Sequence, residues 1–600
     1  MIAARPGRLL LSRALTCRPG GPGVSNVLAV VGVMGAVSLA ASASGQVNLG
    51  GVSFANRAAS GQINIGDVRG SLGVIDYDQD GWYDLFVADS SGRPNRLFHN
   101  VPDASTAGGR NFVDVSVASG IGDADGAARN YGSVVVFDFN NDGWPDIYHI
   151  GNGPDGSSGV LYRNNGDATF TNVSVVSGLR LSGLTQDCAS AADFDHDGDV
   201  DLLLANISST GRAVVLMENN GNGTFTSRPD LLPGVPYNGR IYAQGWTDYD
   251  HDGWEDCLVL LNAGRPLTLK NVPNPAGGRR LVDATTASGF THVGPAPMGI
   301  AFGDMDGDGD LDISITDAVR GTYYENRDGT LVEVFPFATF FGWGTAWIDA
   351  ENDGDLDNFQ AGSWGGSNID FLWRNDDDGA WTDARQALNI IARSTQHSAK
   401  VDFDNDGRED LLTVNPLVHV AFYHNQSTAG NHWIKIRLDG GVGTTPVSRD
   451  AVGARVRVVS GGKTQVRELA IGTSFGASED PRLHFGVGSA TRIDRIEVVW
   501  PRAGTLPERT QLLTGPIGVD QIVTIRPATC GPVDIAPLGG GVGPDGQVTV
   551  DDLTAYLAAF FQMEVARADI ATLGGGACAD GQLTVDDLVR YLALFFAGCQ

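Results

Sequence analysis

Short alternating apolar runs, each a few residues long and each behind an acidic turn, dominate the middle of this chain. Leu85-Phe86-Val87, Ile147-Tyr148, Leu202-Leu203-Leu204, Leu258-Val259-Leu260, Ile313-Ser314-Ile315 and Leu411-Leu412-Thr413-Val414 all follow such a turn. Runs of this length between Gly/Asp turns read as hairpin strands. Further runs recur downstream: LFHN from Leu97, LYRNNGDATF from Leu161, LMENNGNGTF from Leu216, YYENRDGTL from Tyr323, LWRNDDDGAW from Leu372 and FYHN from Phe422. Another series reads FVDVS from Phe112, FTNVS from Phe170 and LVDAT from Leu281. Together these make about four strands per unit, and four-stranded units in radial array are propeller blades. A segment near Val52–Phe54 is expected to pair with the last blade and close the ring.

The acidic turn is one pattern, D-x-[D/N/E]-x-D-G-x-x-D, found seven times, from Asp76, Asp138, Asp193, Asp248, Asp304, Asp349 and Asp402. Successive starts are 62, 55, 55, 56, 45 and 53 residues apart. A pattern returning at that period means stacked supersecondary units. Side-chain oxygens at positions 1, 3, 5 and 9 can converge on one point, Gly at position 6 permits the sharp turn, and position 7 can offer its carbonyl. Such an all-oxygen cage suits calcium better than magnesium. The expected ligands are Asp76, Asp78, Asp80, Trp82 (carbonyl) and Asp84 in loop 1, and Asp138, Asn140, Asp142, Trp144 and Asp146 in loop 2. Loop 3 offers Asp193, Asp195, Asp197, Asp199 and Asp201, and loop 4 Asp248, Asp250, Asp252, Trp254 and Asp256. Loop 5 offers Asp304, Asp306, Asp308, Asp310 and Asp312. Loop 6 offers Asp349, Glu351, Asp353, Asp355 and Asp357, and loop 7 Asp402, Asp404, Asp406, Arg408 and Asp410.

These nonapeptides hold 32 of the 71 acidic residues, in a chain of formal charge -30. Seven divalent ions would bring that charge to -16, so the acidity mostly reflects ion binding. It argues against nucleic acid, which needs basic stripes. Loop and NGxGxF repeats together resemble the FG-GAP/VCBS family of integrin α-subunit propellers. The resemblance implies one calcium ion per hairpin loop on one face of a seven-bladed ring, with ligands docking on loops of the disc.

Beyond Asn431 the alternation continues without acidic loops: HWIKIRL, AVGARVRVV, TQVREL, RLHFGVG and RIEVVW. These strands predict a small β-sandwich. The strings His432-Trp433, Arg449–Val456, Asp480–Gly488 and Trp500-Pro501 resemble the ASPIC/UnbV domain, and propeller plus this domain resembles the cartilage acidic protein family and its bacterial secreted relatives. SFGASE at Ser474–Glu479 departs from that family's usual S-Q-S.

The last 70 residues carry a 35-residue tandem repeat, each copy ending in an amphipathic helix, with Leu553, Tyr556, Leu557, Phe560 and Phe561 forming the apolar face of the first and Leu588, Tyr591, Leu592, Phe595 and Phe596 that of the second. The pair resembles a dockerin, an EF-hand-like module that docks on cohesins. That resemblance implies calcium at Asp534, Asp545, Asp552, Asp569, Asp580 and Asp587, although the Asp534–Asp545 spacing is wider than an EF-hand's.

At the N-terminus Arg5, Arg8, Arg13 and Arg18 precede an apolar run from Val27 to Ala40 and then Ala41-Ser42-Ala43, the form of a secretory signal. The run is short for a membrane span. The expected organisation is signal peptide 1–43, seven-bladed propeller 44–429, sandwich 430–526 and dockerin-like loop-helix module 530–600. Export permits disulfides: Cys188 and Cys257 either pair or stay as buried thiols, and Cys530, Cys578 and Cys599 are odd in number. His196 and His251, at position 4 of their loops, read as exposed spacers; Trp82, Trp144 and Trp254 read as packing residues that could alternatively stack on sugars.

No HExxH or P-loop occurs. The leading expectation is an exported, non-catalytic calcium-binding adhesion or scaffold protein with no transmembrane anchor. Its partner would be a cohesin-like or receptor protein, or an extracellular polysaccharide. The alternative is a calcium-dependent polysaccharide-active enzyme, lyase-like in its chemistry.

Overall fold

The computed structural model describes residues 52–57 and 70–527, with short internal breaks. The signal-like segment and the tandem repeat after residue 527 lie outside the described residues, as do Cys530, Cys578 and Cys599. Described residues are almost wholly β, with one 3-10 turn at Pro229–Leu231.

Seven antiparallel sheets carry the seven acidic loops. Blade 1 is Gly70–Ile75, Asp84–Asp89, Arg96–Pro102 and Arg110–Asp114; blade 3 is Gln186–Ala192, Asp201–Asn206, Val214–Asn219 and Phe225–Ser227. Every acidic loop joins the first strand of its blade to the second, and position 9 opens that second strand. The first strands are the inner ones. Each touches the next round the circle, and the one at His397–Val401 returns to Gly70–Ile75. The result is a closed, propeller-like ring. Phe54–Asn56 joins the last blade as its fourth strand, Phe54 opposite Asn425, so the chain's two ends of the ring are zipped together.

Apolar residues from facing blades fill the spaces between sheets. Phe137, Leu202, Leu204, Val259 and Leu269 belong to one such cluster, and each is almost fully buried. Fully burying side chains of this size contributes about 1.5–3 kcal/mol each. Cys188 and Cys257 lie in the same cluster as free thiols, so the disulfide alternative does not hold. Burial pushes both thiols well above their ordinary range.

The sandwich has a three-stranded sheet built on His432–Leu438 and a four-stranded sheet built on Arg455–Ser460 and Ile493–Trp500. They share a core of Ile434, Ile436, Val456, Val458, Phe485, Ile496, Val498 and Trp500.

One segment of the sandwich leaves it and enters the ring. Ile471 bridges Ala191, and the Ser474 amide donates to the Ile300 carbonyl (2.7 Å). The Thr345 amide donates to Ser474 Oγ, and Ser398 Oγ lies 3.3 Å from the same oxygen. Ala477-Ser478 pairs in parallel with Leu72-Gly73, and the Val136 amide donates to Ser478 Oγ. Phe475 meets the rings of Tyr242 and Trp343. The eight residues Ile471–Ser478 thus reach the inner strand of every blade and fill the centre of the ring. This is the stretch whose sequence departs from the S-Q-S pattern.

Candidate cation loops

Each loop is wound by two residues with positive φ. Position 4 takes it without glycine in six loops: Gln79, Asn141, His196, His251, Asn352 and Asn405 lie between 52° and 60°. Position 6 is always glycine, from 81° to 100°. Asn and Asp tolerate this region better than most residues; the histidines are held there by contacts made across blades.

Those contacts form a relay. Gln79 donates to the Gly143 carbonyl, Asn141 to Gly198, Asn352 to Gly407 and Asn405 to Gly81, each reaching position 6 of the next loop (2.5–3.1 Å). His196 takes the same path: Nε2 lies 2.6 Å from Glu255, and the ring stacks on Trp254 at 4.3 Å. His196 is buried and is not an exposed spacer. His251 is exposed, as expected, yet it too reaches across, 3.6 Å from Asp310.

Position 9 has a double duty. In all seven blades its Oδ1 accepts the amide of an asparagine on the third strand: Asn100, Asn164, Asn219, Asn271, Asn326, Asn375 or Asn425 (2.6–2.9 Å). The asparagine's Nδ2 then donates to the position 2 carbonyl of the preceding loop. Six of these asparagines were visible in the sequence inside the LFHN, RNN, ENN, ENR, RND and YHN strings. Their role in the ring was not, because a one-dimensional pattern does not show which loop an amide reaches.

Three carboxylates come together in each of three loops. One oxygen each of Asp76, Asp78 and Asp84 lie within 4.8 Å of one another, and so do those of Asp193, Asp195 and Asp197 and of Asp248, Asp250 and Asp256. In loops 2, 3, 4, 6 and 7 the position 1 carboxylate accepts the amides of positions 5 and 6. Several oxygens are buried with no hydrogen bond: both of Asp76, and one each of Asp195, Asp250, Asp256, Asp304, Glu351 and Asp404. Burial raises the carboxyls of Asp76 and Asp304 to about 6, and those of Asp138, Asp197, Asp248 and Glu351 to about 7. A buried carboxylate oxygen that accepts no hydrogen bond is costly, and a hard cation held by these oxygens would offset that cost. The donor set fits such an ion.

The residue just before the third-strand asparagine was missed. It lies beside position 3 of the loop. Lys270 pairs with Asp250, Arg374 with Glu351, and His424 Nε2 lies 3.1 Å from Asp404 Oδ2. In each case the other oxygen of that acid is the buried one without a hydrogen bond. His99 occupies the same place in loop 1, with Nδ1 3.0 Å from Asp84 and 3.7 Å from Asp78.

Trp82 and Trp254 at position 7 lie under guanidinium groups, Arg110 at 3.9 Å and Arg279 at 3.8 Å. Arg110 and Arg279 in turn donate to the asparagines Asn100 and Asn271. Those ring faces are used within the protein.

The loop-bearing face is covered by the sandwich. Lys435 Nζ is 3.0 Å from Asp402, Arg437 is 3.8 Å from Asp76, and Lys463 pairs with Asp355. Arg455 donates to the Asp248 carbonyl, and the Asp138 amide donates to Asp450. Arg482 donates to the Asp402 carbonyl and to Asn405, and His484 Nε2 lies 2.8 Å from Asn352. Lys435 and Arg437 alternate on one strand, so both face the ring.

Comparison with known proteins finds FG-GAP-like repeats at residues 76–149, 150–204 and 193–259, and an ASPIC and UnbV domain at residues 443–531. The chain is similar to cartilage acidic protein 1 of Xenopus tropicalis, 29% identical over 181 residues, and of Mus musculus, 30% identical over 191 residues. Each match covers 29% of this chain and 26% of the relative, so about a quarter of those proteins is spanned. Among solved structures, an Agrocybe aegerita lectin that recognises non-reducing terminal N-acetylglucosamine aligns with a TM-score of 0.36 and 18% identity, over 55% of this chain and 82% of the lectin. A Bacillus licheniformis rhamnogalacturonan lyase aligns with a TM-score of 0.33 and 13% identity, over 60% and 72%. Neither likeness bears on function.

Proposed function

We propose that this is an exported calcium-binding scaffold or adhesion protein, in which ions held by the acidic loops rigidify the ring and the rest of the molecule presents a surface to a protein or polysaccharide partner. The observation that carries the calcium reading is the set of buried loop oxygens with no hydrogen bond, in Asp76, Asp195, Asp250, Asp304, Glu351 and Asp404. They complete all-oxygen sites of the kind calcium prefers. FG-GAP-like repeats, typically extracellular, and the Arg-rich, apolar N-terminus support export.

The sandwich lies across the loop face, so a partner is left the rim and the opposite face of the disc rather than the loops themselves. The tandem repeat after residue 527 supplies the proposed attachment to a surface or complex.

The test is to count calcium bound to the purified full chain by native mass spectrometry, and to incubate the same sample with a glycan panel while measuring both retention and new chain ends. Bound calcium with retention and no cleavage supports the scaffold reading. No bound calcium rejects the ion reading, and calcium-dependent chain cleavage makes the protein a lyase.

A further inference from the structure

The ring breaks its own repeat between blades 5 and 6. In every blade one fourth-strand residue lies opposite the third-strand asparagine: Phe112, Phe170, Phe225, Leu281, Leu331, Trp381 and, in the last blade, Phe54. Six of the seven are buried, and Trp381 is half-buried. Two departures in sequence account for this. Position 2 of the preceding loop supplies an aromatic ring to Phe170, Phe225 and Phe112, from Tyr77, Phe139 and Phe403 at 6.2–6.3 Å. Trp381 instead packs in one cluster with Met305, a narrower side chain. After the fourth strand, blades 1, 2 and 4 run into a turn that ends Ser119-Gly120, Ser177-Gly178 or Ser288-Gly289. The serine carbonyl accepts the amide of Phe170, Phe225 or Leu331 in the next blade, at 2.8 Å. No Ser-Gly occurs between Pro336 and Gly342, and the step from loop 5 to loop 6 is the shortest of the six, at 45 residues.

The space left is a cavity of about 270 Å³ between these blades and the sandwich strand Lys463–Glu468. Trp381, Met305 and Val334 give it apolar surface; Asp306, Glu325 and Lys463 give it polar groups. Trp381 meets Tyr323 at 5.1 Å and Trp347 at 6.3 Å, contacts that fix the indole plane. Glu325 accepts from Arg327 through both oxygens (2.5 and 2.8 Å), so its carboxylate is an oriented acceptor. An aromatic surface beside such acceptors suits a sugar ring, whose C–H face buries against the indole while its hydroxyls donate to carboxylate. Charge selects among sugars and other ligands. The lining acids Asp304, Asp306, Glu325 and Asp355 are balanced by Lys463, Arg467 and the divalent ion proposed for loop 5, which favours a neutral occupant. The volume, just under the ~300–1,000 Å³ of drug-sized sites, takes one ring rather than an oligosaccharide.

We propose that the cleft between blades 5 and 6 binds one neutral pyranose unit of an extracellular glycan, with Trp381 as the stacking surface and Glu325 as a hydroxyl acceptor. The inference rests on the reading of a polysaccharide partner and of an ion in loop 5, and it names the place and the class of sugar.

The test uses the full chain loaded with calcium and a panel of neutral methyl glycosides: glucoside, galactoside, mannoside, fucoside and N-acetylglucosaminide. Saturation-transfer-difference NMR should show transfer from the protein to the ring C–H protons of at least one of them. Trp381→Ala should lower its affinity at least ~10-fold, on the scale of a lost aromatic contact with its buried area. Met305→Phe brings in the aromatic class found at position 2 elsewhere and fills the cavity; it should abolish binding while the melting temperature and the number of bound calcium ions stay as they are. No transfer to any glycoside from the calcium-loaded wild type overturns the assignment and leaves the calcium reading intact. So does equal binding by wild type and both variants, which puts the sugar elsewhere. Binding of tetramethylammonium in place of every glycoside overturns it in favour of a cation site. A chain that binds no calcium overturns the parent reading as well.

Discussion

Asn100 Nδ2 donates to the carbonyl of Phe403 at 2.8 Å, across 303 positions of sequence. It is the link in the asparagine circle that joins the first blade to the last. The other six links connect sequential blades. Asn100 is fully buried. Replacing it by leucine leaves the Phe403 and Tyr83 carbonyls and Arg110 Nε to find new partners, at about 1–3 kcal/mol for each buried polar group left unsatisfied. Asn100→Leu should therefore lower the melting temperature by several degrees, while the exposed Asn220, replaced by alanine, should change it little.

Calcium removal should act on the whole ring. Ligands that bind only the folded state stabilise it by mass action, and position 4 contacts tie six of the seven loops to the next one round the ring. Chelator should lower the melting temperature of the full chain by many degrees, and adding calcium back should restore it. An unchanged melt with chelator would show that the loops are not ion sites.

The central segment offers a core substitution far from any loop. Phe475 is 1% exposed, packs edge-on against Trp343 at 4.8 Å and meets the His397 ring at a tilt of 32° and 4.9 Å. Phe475→Ala should cost about 3–5 kcal/mol. Because Phe475 belongs to the sandwich by sequence and to the ring by contact, protease sensitivity should rise in both parts together.

Glu479 follows that segment, and burial raises its carboxyl from 4.5 to about 7, against the opposing charge of Lys400, with Glu409 and Asp480 also nearby. A carboxyl raised in the folded state binds its proton more tightly there than when unfolded. Its contribution to stability is full below about 4.5 and is lost as pH rises through 7. Melting temperature in fixed calcium should fall between pH 5 and 8 by less in Glu479→Gln than in the wild type, and the two curves should diverge at the alkaline end.

Gly407 is tightly enclosed on the loop face. Its φ is +81°, and a Cβ there would lie 1.7 Å from the Trp433 indole. Gly407→Ala should both strain the loop and push the sandwich away, which near-ultraviolet circular dichroism of the tryptophans would report.

Much of the ring was legible in the sequence because two signals repeat in phase: the acidic nonapeptide and the strand ending in asparagine. Each is local, so spacing alone places it on a hairpin. The ring closure by Phe54–Asn56 was legible for the same reason, as a strand left over at the front. What could not be read were contacts between repeats. His196 looks like a spacer within its own loop and proves to be packed on Trp254 of the next. Trp82 reads as a packing residue, but its sequence context does not show that Arg110 is what lies over it. Ile471–Ser478 reads as a loop of the sandwich; nothing in its composition says that seven inner strands surround it. The free thiols of Cys188 and Cys257 were one of two open alternatives, and spacing could not choose between them.

The segment at the centre of the ring also sets an order of events during synthesis. The ring's last strand, Val420–Asn425, leaves the ribosome about 50 residues before Ile471–Ser478. Until that segment emerges, the inner strands of all seven blades line a hole with no occupant. The newborn propeller must wait, incomplete, for a part of itself encoded in the next domain.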